Sequence, residues 1–313
     1  MNIFKGFDTV KNISKPVLTI GTFDGVHLGH QKIIEQLNEE AEKIGGESVL
    51  FTFYPHPRMV LFPDNHGLKL IQTQSEKLQK LERIGLENVI VHPFRKEFSR
   101  LPAVQFVRDF LVNTLKVHTI IIGYDHQFGK NREGNIDLLK ELGPVYGFNV
   151  VEIKAQDVDE VNVSSTKIRK ALKNGDIETA NAFLGSSFEL GGTIIEGKKI
   201  GRSLGFPTAN IQVESDIKII PKQGVYVVCV RIDDKYNFGM LNIGENPTVS
   251  DEGKETIEVH IFDFNDNVYG KDIEVEFLTR LRDEEKYPDK ETLIKQLKED
   301  EKTAKAFIDT ISS

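Results

Sequence analysis

The sequence has few of the features that mark secreted, nucleic-acid-binding or membrane-spanning proteins. Its only cysteine, Cys229, lies in the apolar stretch 225–232, so no disulfide framework can form and a buried thiol in a reducing compartment is expected. Basic residues are in the minority, because 40 Lys and Arg against 48 Asp and Glu give a formal net charge of −8, which disfavours nucleic acid and anionic membranes as partners. No apolar run approaches the roughly 18 residues of a membrane-spanning helix. Residues 1–8 lack the cationic and apolar segments of a signal peptide, so we expect a cytoplasmic protein.

The length and composition suit two ordinary globular domains. A chain of 313 residues with 39% hydrophobic and 28% charged residues can bury more than one core, and it shows no internal repeat or low-complexity segment. In the first half, short apolar runs alternate with helical patterns, which predicts a parallel, doubly wound α/β sheet with ligands at the carboxyl ends of its strands. The predicted strands are 17–20, 48–53, 88–92, 119–123 and 149–153, and the predicted helices are 31–44, 73–84, 103–115 and 136–142.

The pattern changes near Gly185. A helical stretch at 166–184 ends there, and we place the domain boundary so that the two domains are 1–185 and 186–313. Beyond it, short strand-like runs follow one another without helices between them, which predicts an antiparallel sheet closed into a small barrel. These runs are 188–195, 208–213, 225–232, 237–243, 256–262 and 273–278, and a single predicted helix at 290–311 follows them.

One string in the first half, residues 21–30, joins a predicted strand to a predicted helix and has the sequence GTFDGVHLGH. Its glycines let the backbone approach a bound group, and the helix N-terminus offers free N–H groups and the positive end of the dipole to a phosphate. His27 and His30 can both face that pocket and donate hydrogen bonds to oxygens that gain charge when phosphorus is attacked. The alternative is a glycine-rich turn that carries two surface histidines.

Three further strings lie at strand ends or helix starts in the same half. Residues 123–134 contain three glycines and several cationic side chains after an apolar strand, although they could also form a plain long turn. Residues 163–169 place three hydroxyls before a helix and two cations in its first turn, where cations oppose the helix dipole. A nearby anion explains that pattern, and an ordinary Ser/Thr cap is the alternative. Residues 54–58 contain two prolines, so a loop at the carboxyl edge of the sheet is expected.

The second half contains a candidate site of its own. Residues 197–210 combine three glycines with cationic side chains and the string PTAN. Thr208 and Asn210 stand two apart on a predicted strand, so their side chains share one face, and their neutral oxygens suit Mg²⁺ that binds mainly through ATP phosphates. Glu258 places a carboxylate in a strand beside apolar neighbours. The alternatives are sheet hydrogen bonds for Thr208 and Asn210 and an outward-facing charge for Glu258.

Taken in order, these strings resemble one family. Residues 21–30 are similar to the H-x-G-H nucleotidyltransferases and, within that group, to the prokaryotic bifunctional riboflavin kinase/FAD synthetases, while the PTAN string is similar to the riboflavin kinases. The resemblance implies a nucleotidyltransferase-type parallel sheet followed by a six-stranded, riboflavin-kinase-like barrel. It also implies that the C-terminal domain phosphorylates riboflavin to FMN with ATP. The N-terminal domain would then adenylylate FMN with a second ATP, giving FAD and pyrophosphate, with Mg²⁺ as the cofactor.

The resemblance assigns roles to individual residues as well. His27 and His30 would stabilise the transition state of adenylyl transfer, and Glu258 would be the base or hydroxyl-orienting group of the kinase. Mg²⁺ would bind at Thr208 and Asn210. The string 123–134 departs from the G-x-D-F-x-F-G loop of the family, because His126 replaces the usual Phe. The implied nucleotide-binding residues are Gly21, Thr22, Phe23, Asp24, Gly29, Gly123, Asp125, Phe128, Ser164, Ser165, Thr166, Arg169, Gly201 and Gly205, and the implied flavin-binding residues are His56, Arg282 and Glu284.

Two other functions stay open at this point. One is a nucleotidyltransferase with a different acceptor, such as pantetheine phosphate or a lipid head-group precursor, fused to an unrelated barrel. The string 207–210 and Glu258 argue against it. The other is a non-catalytic flavin-binding regulator, which the intact His27 and His30 argue against. We expect small-molecule partners, namely riboflavin, FMN and ATP, with no nucleic acid and no membrane, and the sequence leaves the oligomeric state open.

Overall fold

The computed structural model describes residues 1–63, 67–123, 126–153, 163–197, 200–245 and 255–311. The chain divides into two compact units. The first, called the sheet unit, comprises Met1–Leu70 and Gln74–Ser164. The second, called the barrel unit, comprises Ile71–Thr73 and Ser165–Ser313.

The sheet unit alternates strands and helices as its sequence predicts. Its α4 continues directly into a π-helix at Val107–Thr114. Its strands are β1 Asn2–Phe4, β2 Pro16–Ile20, β3 Glu47–Tyr54, β4 Asn88–Pro93, β5 Thr119–Gly123 and β6 Asn149–Ile153, and its helices are α1 Leu28–Ile44, α2 Pro57–Leu61, α3 Gln74–Arg83, α4 Ala103–Phe106 and α5 Ile136–Tyr146.

All neighbouring strands of this sheet are parallel, and their order is β1-β4-β3-β2-β5-β6. The chain moves outward from β2 through β3 and β4, then returns to the other side of β2 to form β5 and β6. The carboxyl ends of β2 and β5 therefore flank a topological switch point, which is where open α/β sheets bind their ligands. The predicted doubly wound parallel sheet is confirmed.

Hydrophobic side chains cover both faces of this sheet. On one face, Ile34 and Leu37 of α1 pack with Val17 and Leu50 in a core from which water is excluded. On the other face, aromatic and aliphatic side chains of α4, the π-helix and α5 pack with alternate residues of the same strands. Helix α1 ends where Gly45 adopts the left-handed conformation, with φ of 60°, which glycine reaches without steric cost.

The barrel unit opens with two helices and closes with one. Its strands form a closed antiparallel barrel in the order β10-β11-β8-β7-β12-β9, so the predicted six-stranded barrel and C-terminal helix are confirmed. Its elements are α6 Ser165–Asn174, α7 Ile177–Leu184, β7 Phe188–Ile195, α8 Ile200–Ser203, β8 Ala209–Val213, β9 Gly224–Ile232, β10 Lys235–Glu245, β11 Glu255–Ile261, β12 Asp272–Arg282 and α9 Lys290–Ile311.

Strand alternation separates the inside of the barrel from its outer face. In β11, Ile257 and Val259 are buried in the interior, whereas Glu258 between them is half-buried on the other face. Part of that outer face is covered by α9, whose buried Ala304 packs in a cluster with Met240. Cys229 lies in β9 and is half-buried, and burial raises the pKa of its thiol to about 11.

The first two helices of the barrel unit pack on the barrel itself. Helix α7 lies against β7 and β12, and the side chain of Asn181 donates to the carbonyl of Phe277 at 2.8 Å and accepts from the backbone N–H of Phe188 at 2.8 Å. The boundary between residues 185 and 186 stays a prediction, because this packing joins residues on both sides of it.

Three local predictions were wrong in detail. The string 54–58 is not wholly a loop: a cis peptide bond joins Tyr54 to Pro55, and α2 begins at Pro57, where a proline fits the first turn of a helix and the His56 side chain accepts from the N–H of Arg58. Helix α5 runs to Tyr146, beyond the predicted end at 142. Strand β8 begins at Ala209, so Thr208 immediately precedes it.

The helices that the structure describes include none with the length and apolar character needed to cross a bilayer.

Candidate active sites

The turn between β2 and α1 brings the two predicted histidines together. His27 is the N-cap of α1, and its Nδ1 accepts a hydrogen bond from the backbone N–H of His30 at 3.3 Å. The two imidazole rings stack with their centroids 3.7 Å apart, and Phe23 stacks on the far side of His30 at 4.5 Å. The turn therefore presents both rings at the helix N-terminus beside the switch point, as a phosphate site requires.

Contacts decide the protonation of the two rings. Because Nδ1 of His27 accepts from a backbone N–H, the neutral ring carries its proton on Nε2, where it can donate. Burial, with the neighbouring His27 and Lys77, holds the pKa of His30 well below its ordinary value. Nδ1 of His30 is buried and has no hydrogen-bond partner among the described residues. This buried Nδ1 atom can therefore form a hydrogen bond with a bound group.

The backbone of this turn is strained and clamped at both ends. Phe23 and Val26 have φ of 50° and 37°, and the left-handed region is costly for a β-branched residue such as valine. The carbonyl of Thr22 accepts from Nζ of Lys77 at 3.3 Å and from Oγ1 of Thr52 at 3.2 Å. At the other end, the carbonyl of Val26 accepts from Gln31 at 2.8 Å.

Lys77 was not among the residues predicted from the sequence. A signal was present, because Lys77 stands four residues before the buried Leu81 in α3 and therefore lies on the apolar stripe of that helix. Lysine on such a stripe is rarely buried without a partner.

Other predicted residues of the sheet unit lie at the end of β5, in the core and against the start of α1. Gly123 ends β5 beside β2, and Asp125 lies outside the described residues. Phe128 is buried in the core and packs on Phe106, with ring centroids 5.8 Å apart. Val163 lies 3.4 Å from the point where a Cβ on Gly29 would stand, which puts the segment leading to Ser164 against the start of α1.

Other predicted residues lie elsewhere. Ser165, Thr166 and Arg169 form the first turns of α6 in the barrel unit, and His56 caps α2. Asp24 is buried in the turn, with only 5% of its surface exposed. The binding roles of these residues stay predictions.

In the barrel unit, the structure brings the three predicted kinase residues together. Oγ1 of Thr208 donates to Oε2 of Glu258 at 3.0 Å, and Asn210 in β8 lies directly opposite Glu258 in β11. All three side chains are half-buried on the outer face of the barrel. Glu258 is therefore an outward-facing carboxylate, but one that is hydrogen-bonded and paired across strands.

Two glycines let the preceding loop lie against this group. A Cβ on Gly201 would collide with the carbonyl of Phe206 and stand 3.2 Å from Oγ1 of Thr208, and a Cβ on Gly197 would overlap the amide of Asn210. Gly205 has φ of 86°, which a side chain would strain. Gly201, predicted to bind nucleotide, thus has a second reason to be glycine, namely the close approach of its backbone to Thr208, and Gly197 has the same reason beside Asn210.

Asn242 extends this row of residues and was not predicted. It lies opposite Glu258 on the other neighbouring strand, β10, so the row reads Asn210, Glu258, Asn242 across three strands. The carboxylate of Glu284 covers Gly244, next to the side chain of Asn242. Asn242 is identified by the register between β10 and β11, and the sequence alone does not specify that register.

Arg282 is held by a carboxylate of α9. Its Nη2 lies 2.7 Å from Oδ2 of Asp300 and its Nε lies 3.0 Å from Oδ1, while Nη1 donates to the carbonyl of Asp283 at 2.9 Å. Asp300 is only 4% exposed, so this two-pronged pair ties the end of β12 to α9. The predicted contact of Arg282 with flavin stays a prediction.

The three predicted kinase residues suit a metal ion that is held mainly by ATP phosphates. The described residues contain no group of three or more His, Cys, Asp and Glu side chains arranged to hold a metal. Thr208, Asn210 and Glu258 instead offer hard oxygens next to a glycine loop. Such donors suit a hard divalent cation that keeps several waters and binds through ATP phosphates.

The comparisons with known proteins give two separate family matches along the chain. The sequence model of the family described as FAD synthetase matches residues 9–167, and that of the family described as riboflavin kinase matches residues 184–308. The bifunctional riboflavin kinase/FMN adenylyltransferase of Buchnera aphidicola is 37% identical over 303 residues, covering 96% of this chain and 96% of that protein. The protein of the same name from Haemophilus influenzae is 36% identical over 312 residues, covering 99% of this chain and 100% of its own length.

A solved structure also matches along the whole chain. It is named a macrolide-efflux protein from Streptococcus pneumoniae, is 31% identical, and covers 97% of this chain and 98% of its own with a TM-score of 0.87. Both family matches occur in the order of the two structural units, and the curated relatives align over nearly their full length. The chain therefore belongs to the bifunctional riboflavin kinase/FMN adenylyltransferase family.

Proposed function

We propose that the two sites carry out successive steps of flavin cofactor synthesis, with the kinase step on the outer face of the barrel and the adenylyl transfer at the turn of His27 and His30. The protein is an ATP-dependent riboflavin kinase and FMN adenylyltransferase, as its two family matches indicate. The observation that supports the location of the kinase step is the hydrogen bond from Thr208 to Glu258, with Asn210 opposite.

In the kinase step, the 5′-hydroxyl of the ribityl chain attacks the γ-phosphorus of ATP, the bond to the bridging oxygen breaks, and ADP leaves. Glu258 accepts the hydroxyl proton or orients the hydroxyl for attack, because an alcohol is a poor nucleophile at neutral pH. ATP-using enzymes of these families need a divalent metal, which we propose is Mg²⁺ near Thr208 and Asn210. When bound, the ion neutralises charge on the phosphates. The hydrogen bond from Thr208 keeps the Glu258 carboxylate in one orientation before substrate arrives.

In the second step, a phosphate oxygen of FMN attacks the α-phosphorus of ATP, the α–β bridging bond breaks, and pyrophosphate leaves. The nucleophile is already ionised, so no base is needed. His27 and His30 donate to the α-phosphate oxygens as these gain charge, and the N-terminus of α1 adds its dipole. The lowered pKa of His30 means that this ring acts as a neutral donor. Ser164, whose preceding residue Val163 lies against the start of α1, contacts the leaving pyrophosphate.

The direct test incubates the full-length protein with riboflavin, ATP and Mg²⁺ and separates FMN from FAD by chromatography. FMN should form first and FAD should follow. A parallel reaction with pantetheine phosphate as the acceptor and labelled ATP distinguishes a different nucleotidyltransferase, which would label that acceptor and leave FMN untouched. Formation of neither flavin product would refute the proposal.

A further inference from the structure

The ammonium group of Lys77 lies beneath the catalytic turn of the sheet unit. The residue is only 6% exposed, and its Nζ donates to the carbonyl of Thr22 and, at 3.2 Å, to Oγ1 of Thr52. We propose that Lys77 is a positioning residue for adenylyl transfer: it holds the strained turn in the shape that aims His27 and His30 at the reacting phosphate. This inference rests on the proposed roles of the two histidines.

The turn that carries the two histidines is strained at Phe23 and Val26. A turn with two non-glycine residues at positive φ persists only where the surrounding structure over-determines it. Here the end of the turn nearer β2 depends on Lys77 and Thr52, which both donate to the same carbonyl, that of Thr22. If the ammonium group were lost, Thr52 would remain as the donor to that carbonyl among the described residues. The turn could then relax toward ordinary backbone angles.

Burying the charge of Lys77 costs free energy. A lysine that only filled space beside Leu81 could be replaced by an apolar side chain of similar length, which would avoid desolvation of the ammonium group. The buried polar group is instead aimed at a backbone carbonyl and a hydroxyl of the elements that carry the site. A requirement for a hydrogen-bond donor at the turn explains why lysine occupies this buried position.

Lys77 lies among other titratable groups of the site. The titratable groups that face Lys77 are Asp24 in the turn and His30, with its neighbour His27, at the start of α1. Burial lowers the pKa of Lys77 to about 8, an effect that Asp24 partly opposes. The side chain is therefore mostly charged at neutral pH, where its hydrogen bonds are the stronger, charge-assisted kind. Burial, then the neighbouring His27, and then the charge of Lys77 lower the pKa of His30.

The test compares full-length Lys77→Met with full-length Lys43→Met. Lys43 lies in the same unit, on α1, with 65% of its side chain exposed, so its loss should leave both activities unchanged. Lys77→Met should lower kcat for FAD formation from FMN by about 10²-fold, because a misplacement on the order of 1 Å has effects of that size. KM for ATP and for FMN should change much less. The riboflavin kinase rate of the same preparation should stay at the wild-type value, and urea unfolding with a wild-type transition for the sheet unit shows that this unit is folded.

The pH dependence gives a readout that a merely structural role would not move. In wild-type protein the FAD rate should fall as pH rises through about 8, where Lys77 loses its proton. Lys77→Arg keeps its charge at that pH and should move the fall upward by more than about one pH unit. The kinase rate, measured across the same range, corrects for effects on ATP.

Three results would overturn the inference: an unchanged kcat in Lys77→Met, superimposable alkaline limbs for wild type and Lys77→Arg, or a wild-type FAD rate that does not fall above pH 8. The last of these needs no variant, so it decides the matter even if both substitutions prevent folding. Failure of the proposed function looks different, since wild-type protein would then make no FAD from FMN at any pH.

Discussion

The two candidate sites are positioned by different kinds of structure. At the turn of the sheet unit, His27 and His30 depend on a strained backbone that side chains from α3 and β3 hold in place. On the barrel, Thr208 and Glu258 depend on the register of regular antiparallel strands. A site of the first kind should be sensitive to residues that never touch substrate, whereas a site of the second kind should be sensitive mainly to the residues that do.

The largest expected effect is that of Glu258→Gln, which keeps the size of the side chain but removes its ability to accept a proton. Kinase turnover should fall by about 10²- to 10⁴-fold, because a positioned base contributes that much. FAD formation from FMN should stay near normal. Glu255→Gln, an exposed change on the same strand, is the matched control and should affect neither rate. Equal loss of both activities in Glu258→Gln would indicate misfolding, and loss of neither would remove Glu258 from the mechanism.

The double variant His27→Ala/His30→Ala tests the other side of the comparison. FAD formation should fall by about 10²-fold or more, since each lost donor to a developing oxyanion costs a few kcal/mol. FMN formation from riboflavin should continue. Rates of both steps in one preparation provide the measurement, and near-normal FAD synthesis would rule out the turn as the adenylyl-transfer site.

A pair of fragments asks whether the barrel site stands alone. Residues 188–313 should fold and make FMN, because the strand register that places Thr208 and Glu258 lies within them. Residues 165–313 add α6 and α7, including the two hydrogen bonds of Asn181, so they should be more stable by roughly 1 to 3 kcal/mol. Urea unfolding of the two fragments measures the difference. An inactive 165–313 fragment beside an active full-length protein would show that the barrel site needs the sheet unit.

The smallest expected effect concerns the acid stability of the sheet unit. The pKa of His30 is lowered in the folded protein, so below about pH 6.5 the unfolded chain binds a proton that the folded chain does not, and stability falls as the pH drops. His30→Gln should remove this contribution, on the order of 1 kcal/mol between neutral pH and pH 5. Urea midpoints at several pH values provide the measurement. Identical pH dependence in the two proteins would contradict the assignment.

The sequence predicted features set by local patterns better than contacts set by tertiary packing. Hydrophobic periodicity predicted most strands and helices of both units, but not β1, α2 or α8. The strings around His27, Thr208 and Glu258 identified residues that the structure does bring together. The strings identified neither Lys77 nor Asn242. The apolar stripe of α3 signalled that Lys77 is buried, but its contact with the turn depends on helix packing, and the place of Asn242 depends on strand register.

Local backbone chemistry explains other differences. The string 54–58 contains a helix start because Pro57 fits the first turn and His56 caps it, a preference that competes with the loop signal of two prolines.

Arg282 was predicted from resemblance to lie near flavin, and its pairing with the buried Asp300, 18 residues later in the chain, depends on how α9 packs on the barrel.

The central claim is that one chain holds two sites, each sufficient for one step. Its most direct test mixes Glu258→Gln with His27→Ala/His30→Ala and supplies riboflavin, ATP and Mg²⁺. Alone, the first variant should convert riboflavin to neither flavin product at an appreciable rate, and the second should stop at FMN. Together they should make FAD, because FMN released by one protein is the substrate of the other. A mixture that accumulates FMN without FAD, although the Glu258→Gln protein adenylylates added FMN, would contradict the claim.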